Sequence, residues 1–519
     1  MAPSIARVAS WLYYESGIAS VKATGSDALL IILSRTCRMF AFGAVSLTIA
    51  LFFAELGFSD FRIGLFMTLT LAGDVVLGLL VTLMADGLGR RRVLLCGGLL
   101  MAVSGSIFSV LENFWILLLA AIVGVVSAGG GDFGPFRAIE ESTLSHITTP
   151  KTRADVLSWY VTSSSLGSAL GMELSGRFVE LMKENWGLKR TYHATFWVYI
   201  VMGLINALFA FSLSDRCEIP KTTTSMTTRS GPVPTSAPND ESAQGLLDSD
   251  SDDDNNSDIV NPDPQDHPTS RVAPSLIQEK KPTGRFSQIS AATRSVMYKL
   301  WFLLSVDSLA DGMVSQTLTT YFLDRKFADL TKAGLGDIMS TAMILSSISA
   351  VFAGPCARHL GLLNTMVFTH LPSSVAVLLF PAPASLFLTI ALLYVRMGLN
   401  NMDQAPRAAF IAAVVKPEER TAVMGITSTL RTMAMAVGPS VTGLLAGNDR
   451  FWIAFVVGGA LRILYDLGLW GMFVNLRLHT HETNDAPTAP SDQRAQIPDE
   501  EGEVSLEMQR QPTTQRAFS

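Results

Sequence analysis

Apolar residues along this chain fall into long, nearly unbroken runs, set apart by short polar stretches rich in arginine. A helix needs about 20 mostly apolar residues to cross a bilayer. Twelve runs meet that length, at 33–55, 61–84, 93–112, 113–135, 154–178, 192–213, 298–323, 334–356, 361–381, 383–406, 420–446 and 451–475. The pattern predicts an all-α integral membrane protein. Between the sixth and seventh runs, from Arg216 to residue 293, the composition turns to Ser, Thr, Pro, Asp and Asn, with "DSDSDDDNNSD" at 248–258. Such a stretch buries too little apolar surface to offset its ordering entropy, so a disordered central linker is expected. The predicted organisation is a cytoplasmic segment 1–32, a six-helix bundle 33–215, a linker 216–293, a second bundle 294–478 and a disordered tail 479–519.

Composition agrees. Of 519 residues, 49% are hydrophobic and 16% charged, against about a quarter charged in soluble proteins. The net charge of -6 lies largely in the acidic run and says little about a partner. The four cysteines (Cys37, Cys96, Cys217, Cys356) have no paired spacing, and neither a disulfide framework nor a metal site is expected. No basic start with an apolar core and cleavage site opens the chain, so a cytoplasmic amino terminus is expected. Ten basic residues then fall in inner loops, among them Arg90, Arg91 and Arg92, against eight in outer loops. With an even number of spans, both termini and the linker are expected to be cytoplasmic.

The two halves repeat one another. "VSLTIALFFAE" from Val45 lies over "VSQTLTTYFLD" from Val314, and "GMELSG" from Gly171 lies over "GPSVTG" from Gly438. "SAGGGDFGPFRAIEES" at 127–142 is echoed by "NNMDQAPRAAF" at 400–410, pairing Asp132 with Asp403 and Pro135 with Pro406. No Gly-Lys-Ser/Thr follows the glycines, so a phosphate cradle and an ATP-driven pump are disfavoured. The stretch is read instead as the inner end of the fourth helix, carrying Asp132 and Arg137 into a cluster with Arg90 or Arg91, with Asp403 and Arg407 as its second copy.

Between the second and third runs stands "TLMADGLGRRRVLL". Its Asp86, Gly89, Arg90 and Arg91 resemble the inner-loop motif of the major facilitator superfamily, with Thr82 in place of a leading glycine. A worn copy, "AGPCARHLG" at 353–361, carries Arg358 in place of the acid. The stretch from Met402 to Gly443 is similar to a fungal and bacterial branch with drug-efflux-like sequences. The fifth helix lacks the proline of the antiporter signature, and the sugar-porter and peptide-carrier patterns are absent. The resemblance implies two six-helix bundles around a cavity, with helices one, four, seven and ten lining it, and secondary transport by alternating access.

A charge at mid-membrane costs roughly 2.5 to 3.5 kcal/mol on insertion scales. Asp74, Asp311, Arg396 and Arg431 lie deepest and are the candidates for coupling or substrate binding. Asp311 and Arg396 fit either a proton-loading pair or a static buried one. Arg38 and Asp307 occupy equivalent places in helices one and seven and could form an inner gate, with Arg35 as an anchor. Arg462 and Asp466, four apart on helix twelve, read as a structural pair. Gly167, Gly171 and Gly176 read first as packing residues, and Asn400 and Asn401 fit a ligand or a neighbouring helix equally.

No nucleophile with its base and no cofactor motif appears, so an enzyme is not expected. The reading is a monomeric, proton-coupled transporter of small organic molecules in a plasma or vacuolar membrane, exporting in preference to importing. Its partners are a small-molecule substrate, protons and the lipid bilayer, with no nucleic acid and no cofactor. The alternative of another class is a transporter-like receptor or scaffold signalling through the linker.

Overall fold

The computed structural model describes residues 17–126, 135–218, 291–415, 419–447 and 450–474. Among them the regular structure is helical. The first half runs α1 (Ile18–Thr24), α2 (Ser26–Glu55), α3 (Asp60–Leu88), α4 (Arg90–Val110), α5 (Phe114–Val123), α6 (Pro135–Ile147), α7 (Pro150–Trp186), α8 (Leu188–Thr195) and α9 (Trp197–Ser212). The second runs α10 (Ala291–Met313), α11 (Gln316–Lys326), α12 (Lys332–Leu360), α13 (Leu362–Leu379), α14 (Leu386–Asn400), α15 (Gln404–Val414), α16 (Arg420–Ala446) and α17 (Phe451–Phe473). Each of the twelve apolar runs coincides with one helix or with two successive ones. The linker from residue 219 and the tail lie outside the described residues.

Local chemistry sets the helix starts. Asn113 Oδ1 accepts from the Trp115 amide at 3.0 Å to open α5, and Thr331 Oγ1 accepts from Gly334 N at 3.0 Å to open α12; both satisfy amides that a helix start leaves bare. Gly89 and Gly361 turn the chain between α3 and α4 and between α12 and α13 with φ of 97° and 86°, conformations open to glycine. They sit in the "ADGLGRRR" motif and in its worn copy.

The fourth, seventh and tenth spans are each interrupted. The sequence pattern ended the fourth at 135 and the tenth at 406, yet α6 continues to Ile147 and α15 to Val414. Both extensions carry buried charges, Glu140 and Arg407, which break the apolar run although the bundle neutralises them. Of the stretch 127–142, residues 135–142 form the first part of α6, and 127–134 lie outside the described residues.

The repeat extends to contacts between backbones. A Cβ on Gly43 of α2 would lie 2.0 Å from the Ser168 carbonyl oxygen of α7, and one on Gly312 of α10 would lie 2.1 Å from that of Met435 on α16. Gly176 likewise abuts Lys332 and Gly336 while Gly443 abuts Asp60 and Gly64. These equivalent contacts use small residues where helices approach closely, as membrane packing favours. Gly167 and Gly171 also face α2 backbone, at Thr36 and Phe40, in keeping with a packing role.

The halves meet at the end that holds residues 56–59 and 327–331. Asp60 accepts from Tyr321 Oη at 2.7 Å and pairs with Arg325 at 2.8 Å. Glu173 accepts from Ser340 at 2.9 Å, Arg177 pairs with Asp337 at 2.9 Å, and Ser440 bonds Thr68 at 2.8 Å. Towards the opposite end, Leu79, Leu80, Val161, Val351, Phe352 and Met424 are exposed.

Candidate functional site

Each half holds its own buried network. In the first, Arg38 of α2 makes a two-pronged contact with Glu140 of α6, Nη1 to Oε1 at 2.8 Å and Nη2 to Oε2 at 2.6 Å. Tyr160 of α7 donates to Glu140 Oε2 at 2.8 Å and accepts from Arg35 Nη1 at 2.8 Å. The Arg35 guanidinium also stacks on the Tyr160 ring, 4.2 Å from its centroid. Arg35, Glu140 and Tyr160 are all buried, and the paired forks satisfy what burial would otherwise leave costly. Arg35 is thus part of this core, which the sequence did not indicate.

In the second half Asp307 of α10 pairs with Arg407 of α15 at 3.3 Å, and Arg407 pairs with Asp403 at 3.1 Å. Arg38 and Asp307, expected as an inner gate, are not paired with each other in this conformation. Each is neutralised within its own half, and the same spans are joined with the charges reversed: one to four by Arg38 and Glu140, seven to ten by Asp307 and Arg407.

Deeper in the second half, Arg462 of α17 donates through Nη1 to Asp311 of α10 and through Nη2 to Asn400 of α14. The same Nη2 lies 2.7 Å from His370 Nε2 on α13. On the other face of that imidazole, Nδ1 is 2.7 Å from Asp466 Oδ1, and Ser374 Oγ donates to Asp466 Oδ2 at 2.7 Å. Arg462 and Asp466, expected as a structural pair with each other, instead connect α17 to α10, α13 and α14. Arg462 and Asp466 are fully buried, whereas the Asp311 side chain keeps 27% of its exposure. Asp311 is the partly exposed end of this network.

Asp311 and Arg396 are not partners. Arg396 donates to Thr319 Oγ1 at 2.9 Å and to the Val314 carbonyl, an oxygen freed where α10 breaks from α11. It braces that break. Arg431 donates through Nε to Ser308 at 3.1 Å. Asp74 is 1% exposed, and neither carboxylate oxygen has a hydrogen-bond partner. Arg137 is exposed and pairs with Glu141 at 2.7 Å. Asp132 and the side chain of Asp86 lie outside the described residues, so the expected latch from Asp132 to Arg90 or Arg91 does too.

The amides of Arg90 and Arg91 instead donate to Glu218, at 2.9 and 3.0 Å, and the Arg91 side chain pairs with Asp215. A carboxylate at the start of α4 satisfies bare amides and complements the helix dipole. Next to it, Cys217 is buried against Ile31, Ile32 and Val156, and burial pushes its thiol up to about 12. The sixth span is therefore held in place through Glu218, three residues into the stretch read as linker. Glu140, Glu218 and His370 were not singled out by the sequence. For Glu140 and Glu218 a signal existed, an acid near basic partners in the repeat and the loop motif. His370 sits alone in an apolar run and carried none.

The sequence pattern of the Major Facilitator Superfamily matches residues 31–250 and 300–512. The chain belongs to that family. A Saccharomyces cerevisiae protein described as an uncharacterized membrane protein is 31% identical over 460 residues, 88% of this chain and 96% of the relative. Among solved structures, the nucleoside transporter NupG superposes with a TM-score of 0.61 at 14% identity, covering 86% of this chain and 99% of that one. A D-xylose-proton symporter superposes with 0.61 at 12% identity, covering 86% and 98%. This facilitator fold makes the chain a multi-pass membrane transporter and not an enzyme.

Proposed function

We propose that this chain is a proton-coupled transporter of small organic molecules that works by alternating access between its two halves. The observation that carries this reading is the Asp311 carboxyl, which pairs with a buried cation, Arg462, while keeping part of its own exposure. A carboxylate that is paired in one conformation and reaches water in another can load and release a proton as access alternates. Asp74 supports the reading from the first half, since an acid buried without a counter-charge suits a state with a proton bound. Arginines at the end opposite the joined one, Arg90 to Arg92, favour a cytoplasmic side for that end; on this reading the joined end is the outer one and this conformation opens inward. The likeness of residues 402–443 to drug-efflux-like facilitators favours export.

The test is flux into vesicles holding the reconstituted full chain and a luminal pH dye. Nucleosides, D-xylose, short peptides and lipophilic cations serve as solutes. We expect at least one solute to move with protons, and Asp311→Asn to abolish the pH dependence of that flux. Full pH-dependent transport by Asp311→Asn removes the proton role from this carboxyl.

A further inference from the structure

The imidazole of His370 stands between two partners that cannot both use the same nitrogen. Its Nε2 is 2.7 Å from Arg462 Nη2, and an arginine only donates, so here Nε2 is the acceptor and Nδ1 carries the hydrogen given to Asp466 Oδ1 at 2.7 Å. On the same side, Asp307 Oδ1 lies 3.6 Å from Nε2. That oxygen is buried and has no hydrogen-bond partner, while the other oxygen of the carboxylate is taken by Arg407.

We propose that His370 is a proton-operated switch that decides whether Arg462 is shared with the ninth span or held by the seventh and tenth alone. A proton taken from water at the Asp311 side forms the Nε2–H bond. The lone pair that accepted from Arg462 is then gone, and a second donor and cation faces the guanidinium. The new Nε2–H turns to the vacant Asp307 Oδ1, and the imidazolium lies between Asp307 and Asp466. Arg462 loses His370 and keeps Asp311 and Asn400. Loss of the proton restores the present arrangement.

The groups facing His370 are consistent with two stable states. α17 presents Arg462, Asp466 and the Tyr465 ring, edge-on at 5.6 Å. α10 presents Asp307, and the tenth span presents Asp403 and Arg407 behind it. The ionisable residues of α12, Lys332, Asp337, Arg358 and His359, lie near its two ends. His370 is itself on α13, outside the seventh and tenth spans, so protonation there would move charge between the spans that hold Asp311 without occupying Asp311.

This inference rests on the alternating-access reading above but not on proton-driven flux, and its test needs no substrate. Thr68→Cys places a thiol between α3 and α16 where the halves join, against Ser440. Its labelling rate in the reconstituted full chain, corrected for the parent protein, reports opening of that end. Between about pH 5 and 8 the rate should change by about fivefold or more with His370 present. With His370→Gln, which holds hydrogen bonds but no charge, the rate should be flat. The same slope with His370→Gln, or no slope in the chain with its native His370, overturns the switch; the second result needs no folded His370 variant. A His370-dependent slope without proton-driven flux would keep the switch and discard the coupling reading. Proton-driven flux without the slope would do the reverse.

Discussion

Glu140 shows what a buried charge does at the scale of one residue. It receives both prongs of Arg38 and the hydroxyl of Tyr160, with no exposure of its own. Removing one member of a buried pair leaves the other uncompensated, at about 3 to 5 kcal/mol. Glu140→Ala should therefore lower stability in detergent by about that amount, measured by thermal or denaturant unfolding. The double exchange Arg38→Glu with Glu140→Arg should recover a substantial part. Unchanged stability in Glu140→Ala would show that the fork contributes nothing. Asp311 differs in kind. Its partial exposure makes it a site for exchange with water, and its substitution by Asn is expected to alter pH dependence before stability.

At the scale of elements, the turn between α3 and α4 and the end of the sixth span act as one unit. Glu218 closes the start of α4 by accepting from the Arg90 and Arg91 amides. A cap of this kind is worth about 0.5 to 2 kcal/mol. Deleting residues 219–290 should leave transport intact, whereas deleting 216–290 should lower both stability and flux because it removes the cap. Equal behaviour of the two deletions would count against the cap. The apolar runs made the spans legible because lipid demands them. Their true ends in α6 and α15 were not, because Glu140 and Arg407 look like loop residues until their partners are in place. The breaks in the fourth, seventh and tenth spans had only glycine and proline to announce them.

At the scale of the molecule, duplication was readable because short stretches repeat in order, among them "GMELSG" over "GPSVTG"; in the structure Gly176 and Gly443 of that pair, and Gly43 with Gly312, stand at the same close approaches. The charged network was readable in part. Asp307, Asp311, Asp403 and Arg407 stand out on depth or by repeat, but which acid meets which base depends on helix rotation, and that placed Arg462 rather than Arg396 beside Asp311. The outcome is two halves that each hold their buried ion pairs within themselves, joined at one end. Such halves can rock as units around the network, since neither has to break its own ion pairs to move.

The most direct test is a pair of distances across the halves in the reconstituted chain, one between spin labels at the joined end and one at the opposite end, followed as pH and solute are varied. Alternating access predicts that one distance grows as the other shrinks, with Asp311→Asn suppressing the response to pH. Two distances that stay fixed, or that change together, would contradict it.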